Sequence, residues 1–234
     1  VSAEPERRQR LLQMAAGAVF LAVAVVLVLI VVNSGGSGGD PENIEGRAEV
    51  DRLLAGIPQR GMILGDPKAP VRLIEFGDLQ CPVCAGFAQE ILPPIVENQV
   101  KNGEAKIDFR NLTIIGEESI PAGAAALAAG EQGRGWSYLE IFYRNQGEER
   151  SGYVTDDYME AVAKAAGVEN LAKWNQDRRR MTGEVEKTTA EAEGLGYHGT
   201  PSFAVEGPAT RGDMQLLGSP ESTEALEEAI EAAK

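Results

Sequence analysis

The chain has 234 residues, 43% of them apolar, and a formal charge of −14 at pH 7. That length and apolar share suit one or two domains with a buried core. The acidity excludes a nucleic-acid partner, because phosphate binding needs concentrated Lys and Arg, and the one dense basic cluster, Arg178-Arg179-Arg180, lies among acids and reads as a solvated helix face.

At the start of the chain Arg7, Arg8 and Arg10 outweigh Glu4 and Glu6, and no charge falls within 11–32. Met14 to Val32 is an uninterrupted apolar run. As a helix rising 1.5 Å per residue it would span about 28 Å, close to a bilayer's hydrocarbon core. Residues 11–32 are therefore predicted to be a transmembrane anchor. With arginines before it and Asp40 and Glu42 after it, the positive-inside rule places 1–10 in the cytoplasm and 33–234 outside. A cleaved signal peptide is the rival reading, but the run is long and ends in Val31-Val32-Asn33 without a small-x-small site. Either reading exports the domain.

NSGGSGGDPENIEG, Asn33 to Gly46, is too polar and glycine-rich to bury surface and reads as a flexible tether. Ala48, Val50, Leu53, Leu54 and Ile57 then recur at helical spacing, so 33–60 is predicted to be tether plus a short helix. VRLIEF, Val71 to Phe76, is an apolar run bounded by turn residues and reads as a central strand. Cys84, Phe87, Ala88, Ile91 and Leu92 fall on one face of a helix that opens at the cysteine pair, with Pro82 in its first turn and Pro93-Pro94 bending or ending it. Lys106 to Leu112 alternates enough to be a second strand within 61–118. The segment 119–194 is helical throughout, punctuated by glycines. In 195–234, SFAVEG and MQLLGS offer two short strands before an amphipathic helix, whose start Ser219-Pro220 marks. The order is strand, helix, strand, several helices, strand, strand, helix, with no internal repeat.

The only two cysteines, Cys81 and Cys84, stand in one Cys-Pro-Val-Cys window. A redox couple, half of a metal site and a structural staple are the three readings of such a pair. Zinc needs four ligands, and with one histidine, His198, in the chain a closed site would require carboxylates or a second chain. A staple closing so short a loop removes little unfolded-chain entropy. In an exported domain the redox reading is favoured. If Cys84 belongs to the buried stripe, Cys81 occupies an exposed first turn, where unpaired N–H groups and the helix dipole stabilise a thiolate.

Strand, CxxC, helix and a later Thr-Pro before a strand, with the stretches VRLIEFGDLQCPVC and HGTPSF, resemble the thioredoxin superfamily. More closely, the chain is similar to membrane-anchored, DsbA-like thiol:disulfide oxidoreductases of bacteria. The resemblance covers roughly 61–234 and implies an α/β thioredoxin fold with an inserted helical subdomain. It makes Cys81 the attacking cysteine and Cys84 the resolving one, with Pro82 and Val83 tuning their reactivity. It also makes Pro201 a cis-proline facing the pair, with Thr200 offering its backbone to an extended substrate. Glu75 maps onto an acidic position near the buried cysteine, where a raised pKa would suit it to take the Cys84 proton. Read from the residues alone, it could equally be a rim acid paired with Arg72 or Lys68. The implied reaction uses the Cys81–Cys84 disulfide and no metal or organic cofactor. The implied partners are exported proteins with free thiols and a separate membrane protein that reoxidises the pair. A reductase or isomerase, or a noncatalytic binding protein, are the alternatives. Val83 stands where strongly oxidising members carry histidine, so the helix terminus alone is expected to bring Cys81 from about 8.5 to about 7, a moderate oxidant. His198 reads as a surface residue, Asn111-Leu112-Thr113 as strand rather than a glycan acceptor, and Trp136, Tyr138, Phe142 and Tyr143 as helix-packing core.

Overall fold

The structure, a computed structural model, describes residues 39–234. The predicted membrane span Met14–Val32 and the segment before it lie outside the described residues. Among the described residues no helix is long and apolar enough to cross a membrane.

Strand β3 (Val71–Gly77) organises the rest. It pairs in parallel with β4 (Ala105–Asn111) on one side and antiparallel with β5 (Ser202–Glu206) on the other. Outside these run β6 (Gln215–Gly218), antiparallel to β5, and two short strands, β1 (Gln59–Arg60) and β2 (Ile63–Leu64), giving the order β1-β2-β4-β3-β5-β6. Because β3 is central, both its faces are covered, and the period-two alternation divides its side chains between them. Leu73 belongs to the larger core, whereas Ile74 and Phe76 pack with Leu112, Ala192, Tyr197 and Ala204 on the opposite face. Glu75, two residues from Leu73, is thereby directed into the larger core.

The parallel pair is joined by a helical crossover. Helix α2 (Pro82–Glu90) starts with proline at its first position, where no N–H is needed. Pro93 and Pro94 interrupt the hydrogen-bond ladder as the sequence predicts. The chain does not stop, however, but resumes as the short α3 (Leu92–Ile95) and a π-helical turn (Val96–Val100), closed by Lys101 N–H on Val96 O at 2.9 Å.

Upstream, α1 (Arg47–Leu53) buries Val50. Within the stretch read as flexible tether, the residues from Gly39 on are held: Gly39 N–H donates to Asn145 O (2.8 Å), and Glu45 exchanges two hydrogen bonds with the Asn145 side-chain amide (2.8 and 3.0 Å). The backbone of this polar segment pairs with the end of a helix, a partner that composition does not reveal.

Between β4 and β5 lie five helices: α4 (Ser119–Gly130), α5 (Gly135–Arg144), α6 (Asp156–Ala165), α7 (Leu171–Arg178) and α8 (Thr182–Gly194). The small residues of α4 let its neighbours approach closely. Trp174 of α7 donates its indole N–H to Ala125 O at 2.9 Å, and Cβ atoms added at Gly130 and Gly135 would strike the Gly61 backbone. Trp136, Tyr138, Phe142 and Tyr143 are all buried in this packing. Helix α9 (Thr223–Ala233) adds Leu226, Ile230 and Ala233 to the larger core. Its cap is Ser222, whose hydroxyl accepts from Ala225 N–H, rather than Ser219-Pro220.

Candidate active site

Cys81 is the N-cap of α2, in extended backbone conformation, and the Cys84 N–H donates to its sulfur at 3.4 Å. Both cysteines are free thiols. Cys84 is fully buried, one turn into the helix, as the apolar spacing requires. Cys81 corrects the expectation of an open first turn, being only 4% exposed. The loop containing Thr200 and cis Pro201 lies over it, and the Cys81 thiol donates to Thr200 O at 3.4 Å. What stands open is the neighbouring Val83, at 62%. Pro82, the first residue of the helix, lacks an N–H and so offers the sulfurs no backbone donor. The cis Thr200–Pro201 bond agrees with what the resemblance implies.

Although both sulfurs are covered, they differ electrostatically. Cys81 is lowered to about 6, chiefly by a hydrogen bond from the Cys84 thiol; burial opposes this, and the Thr200 hydroxyl and the N–H groups of Cys84 and Val83 add to it. A thiolate cannot donate to the Thr200 carbonyl as the thiol does, and the Thr200 hydroxyl, buried with no hydrogen-bond partner of its own, is the neighbouring donor available to it. The result lies below the value of about 7 expected from the helix terminus alone, since the Cys84 thiol and the Thr200 hydroxyl were not part of that expectation. Burial pushes Cys84 well above the ordinary thiol range, and the hydrogen bond it gives to Cys81 holds its proton further.

Glu75 is 1% exposed and neither carboxyl oxygen has a hydrogen-bond partner. Burial raises it to about 8, with Glu140 and then Cys81 contributing through their charge. The rim-acid alternative does not hold. Arg72 instead pairs with Glu206 and, at 3.6 Å, Asp108. His198 is exposed, and Asn111 is buried at the end of β4, which removes it as a glycan acceptor. Among the described residues no group of three or more His, Cys, Asp and Glu is arranged to hold a metal ion.

Sequence reasoning does not single out Asp78, Glu140 or Gln146 around the pair, and reads Tyr143 only as helix-packing core. Asp78 is buried and uses its carboxylate to accept from the N–H groups of Gln80, Ile114 and Ile115 at 2.9 Å each, bracing the loop before Cys81. Glu140 is buried and paired with Arg144. Tyr143, in the last turn of α5, and Gln146, two residues past its end, bond the same loop. Glu140 within the apolar stretch WSYLEIFYR was the available signal, because a carboxylate among core residues has to serve a partner.

A mixed α/β sheet carrying two unequal thiols at a helix N-terminus, with a cis-proline loop against them, defines the DsbA-like class of thiol:disulfide oxidoreductase. The chain belongs to the thioredoxin family, whose model, described as Thioredoxin, matches residues 58–232. A probable disulfide bond formation protein D of Bacillus cereus is 28% identical over 160 residues, 66% of this chain and 74% of its own. Disulfide bond formation protein D of Bacillus subtilis is 29% identical over 150 residues, covering 61% and 66% respectively. The crystal structure of oxidised BdbD from Bacillus subtilis matches the fold with a TM-score of 0.63 at 24% identity, over 75% of this chain and 95% of that one.

Proposed function

We propose that the protein introduces or exchanges disulfides in exported proteins through its Cys-Pro-Val-Cys pair, working outside the cytoplasmic membrane. A substrate thiolate attacks Cys81 Sγ of the oxidised pair. The Cys81–Cys84 bond breaks, a mixed disulfide forms at Cys81, and Cys84 leaves with the electron pair and takes a proton. Glu75, protonated at neutral pH, is the nearby source of that proton and accepts it again on reoxidation. A second substrate thiolate then attacks the substrate-side sulfur and expels Cys81 as thiolate. Two substrate thiols become one disulfide while the enzyme disulfide becomes a dithiol, with no metal or organic cofactor. Thr200 and Pro201 face the extended substrate, and Pro82 and Val83 tune the pair. The apolar run Met14–Val32 behind Arg7, Arg8 and Arg10 supports a single-pass anchor with 1–10 in the cytoplasm, and a separate membrane partner would reoxidise the pair.

The observation that carries this reading is the inequality of the sulfurs, with Cys81 lowered to about 6 and Cys84 held protonated by burial. A Cys84→Ser variant should accumulate mixed disulfides with exported proteins through Cys81; capture of none would favour a noncatalytic binding role. An oxidase should also melt at higher temperature when reduced than when oxidised, because its dithiol form is the stabilised one. The reverse order would make it a reductase or isomerase.

A further inference from the structure

The loop that delivers the redox pair, Asp78 to Cys81, is gripped by the helical insertion. At the C-terminal end of α5 the Tyr143 hydroxyl donates to Asp78 O at 3.3 Å. The Gln146 side-chain amide donates to Leu79 O at 2.6 Å and to Cys81 O at 3.2 Å. Asp78 O and Cys81 O already accept backbone N–H groups, from Cys81 at 3.0 Å and Ala85 at 3.1 Å. The added donors are therefore not needed to satisfy those two carbonyls. Gln146 is half-buried and gives up rotamer freedom by reaching them. What it gains is a fixed spacing between Leu79 and Cys81, immediately before the helix turn whose N–H groups face the sulfur.

We propose that Gln146 is a positioning residue for the exchange reaction: by tying Leu79 O to Cys81 O it holds the Cys81 backbone where its sulfur meets the Cys84 N–H and the Thr200 loop, and so sets the redox balance of the pair. This deepens the function proposed above and rests on it. Both contacts to the sulfur, at 3.4 Å, depend on alignment, and a rotation of the Cys81 backbone would weaken them. Without Gln146 the thiolate is less stabilised, the dithiol form loses ground to the disulfide, and the protein becomes a weaker oxidant.

The test uses the full chain carrying Gln146→Met, similar in length but without N–H donors. The equilibrium constant with glutathione should move threefold to tenfold toward the oxidised protein, about the range of one hydrogen bond. Tenfold corresponds to about 30 mV. Thiolate absorbance should appear at higher pH than in the parent. An unchanged equilibrium and titration, with the urea midpoint lowered equally in oxidised and reduced forms, would make Gln146 a structural residue only and overturn the proposal. Should the Met variant fail to fold, Gln146→Leu, which also lacks the amide donors and adds no charge, is read in the same way. Both quantities belong to the Cys81–Cys84 pair itself. A parent chain that exchanged with glutathione but captured no protein substrate would count against the proposed function and leave this comparison decisive.

Discussion

Around Cys81, each stabilising group has a separate source and is open to a separate substitution. Thr200→Val removes the hydroxyl available to the thiolate while keeping the residue's shape. Losing one hydrogen bond of about 0.5–1.5 kcal/mol should raise the Cys81 titration by about half to one pH unit, read from thiolate absorbance. Val83→His acts in the opposite direction. Val83 is exposed in the first turn of α2, so an imidazolium fits there without burial and should lower the Cys81 titration by about one pH unit. The glutathione equilibrium should then show a stronger oxidant, and no change in either quantity would mean that the new side chain points away from the sulfur. The burial of Cys84 and the place of Cys81 at the helix N-terminus were legible from helical spacing. The covering of Cys81 was not, because Thr200 lies 119 residues further along the chain.

Among the elements, the long periodic ones were legible. Strands β3 and β4, helix α2 and the helices of the insertion all follow from apolar spacing, proline and glycine. Strands β1 and β2 were not, since two residues each carry no period, and they exist because β2 pairs with Ile107 and Asp108 of β4. That corner depends on close backbone approach. A Cβ at Gly135 would strike Gly61 O and lie 2.8 Å from Met62 Sδ, so Gly135→Ala should cost about 1–3 kcal/mol by overpacking, measured as a lower denaturant midpoint. A midpoint equal to the parent's would show that the α4–α5 turn can retreat from β1 and β2. The docked segment from Gly39 to Glu45 belongs to the same category of feature, polar in sequence and held by the side-chain amide and backbone carbonyl of Asn145 with Ile44 packed on the core.

For the molecule as a whole, the buried Glu75 links redox chemistry to stability. Its carboxyl titrates near 8 in the folded state, above the ordinary carboxylate value it regains on unfolding. Between those two values the folded chain holds a proton that the unfolded chain releases, so unfolding free energy should fall as pH rises, with full stability below the unfolded pKa and the loss complete above about 8. The slope from this one group approaches about 1.4 kcal/mol per pH unit. In Glu75→Gln that part of the slope should vanish, as urea titrations from pH 5 to 8 would detect, and a slope identical to the parent's would mean that Glu75 is ionised or solvated in the folded protein. The sequence by itself determined the order of elements, the placement of a dithiol at the start of a helix and the acid on the central strand, because each follows from periodicity and backbone chemistry within a few residues. Only the tertiary structure decided that Glu75 lacks a counterion, that Thr200 covers Cys81 and that α5 holds the redox loop. Those facts depend on which distant segments the sheet brings into contact, and burial gives a charge or a thiol its chemistry only after that contact is made.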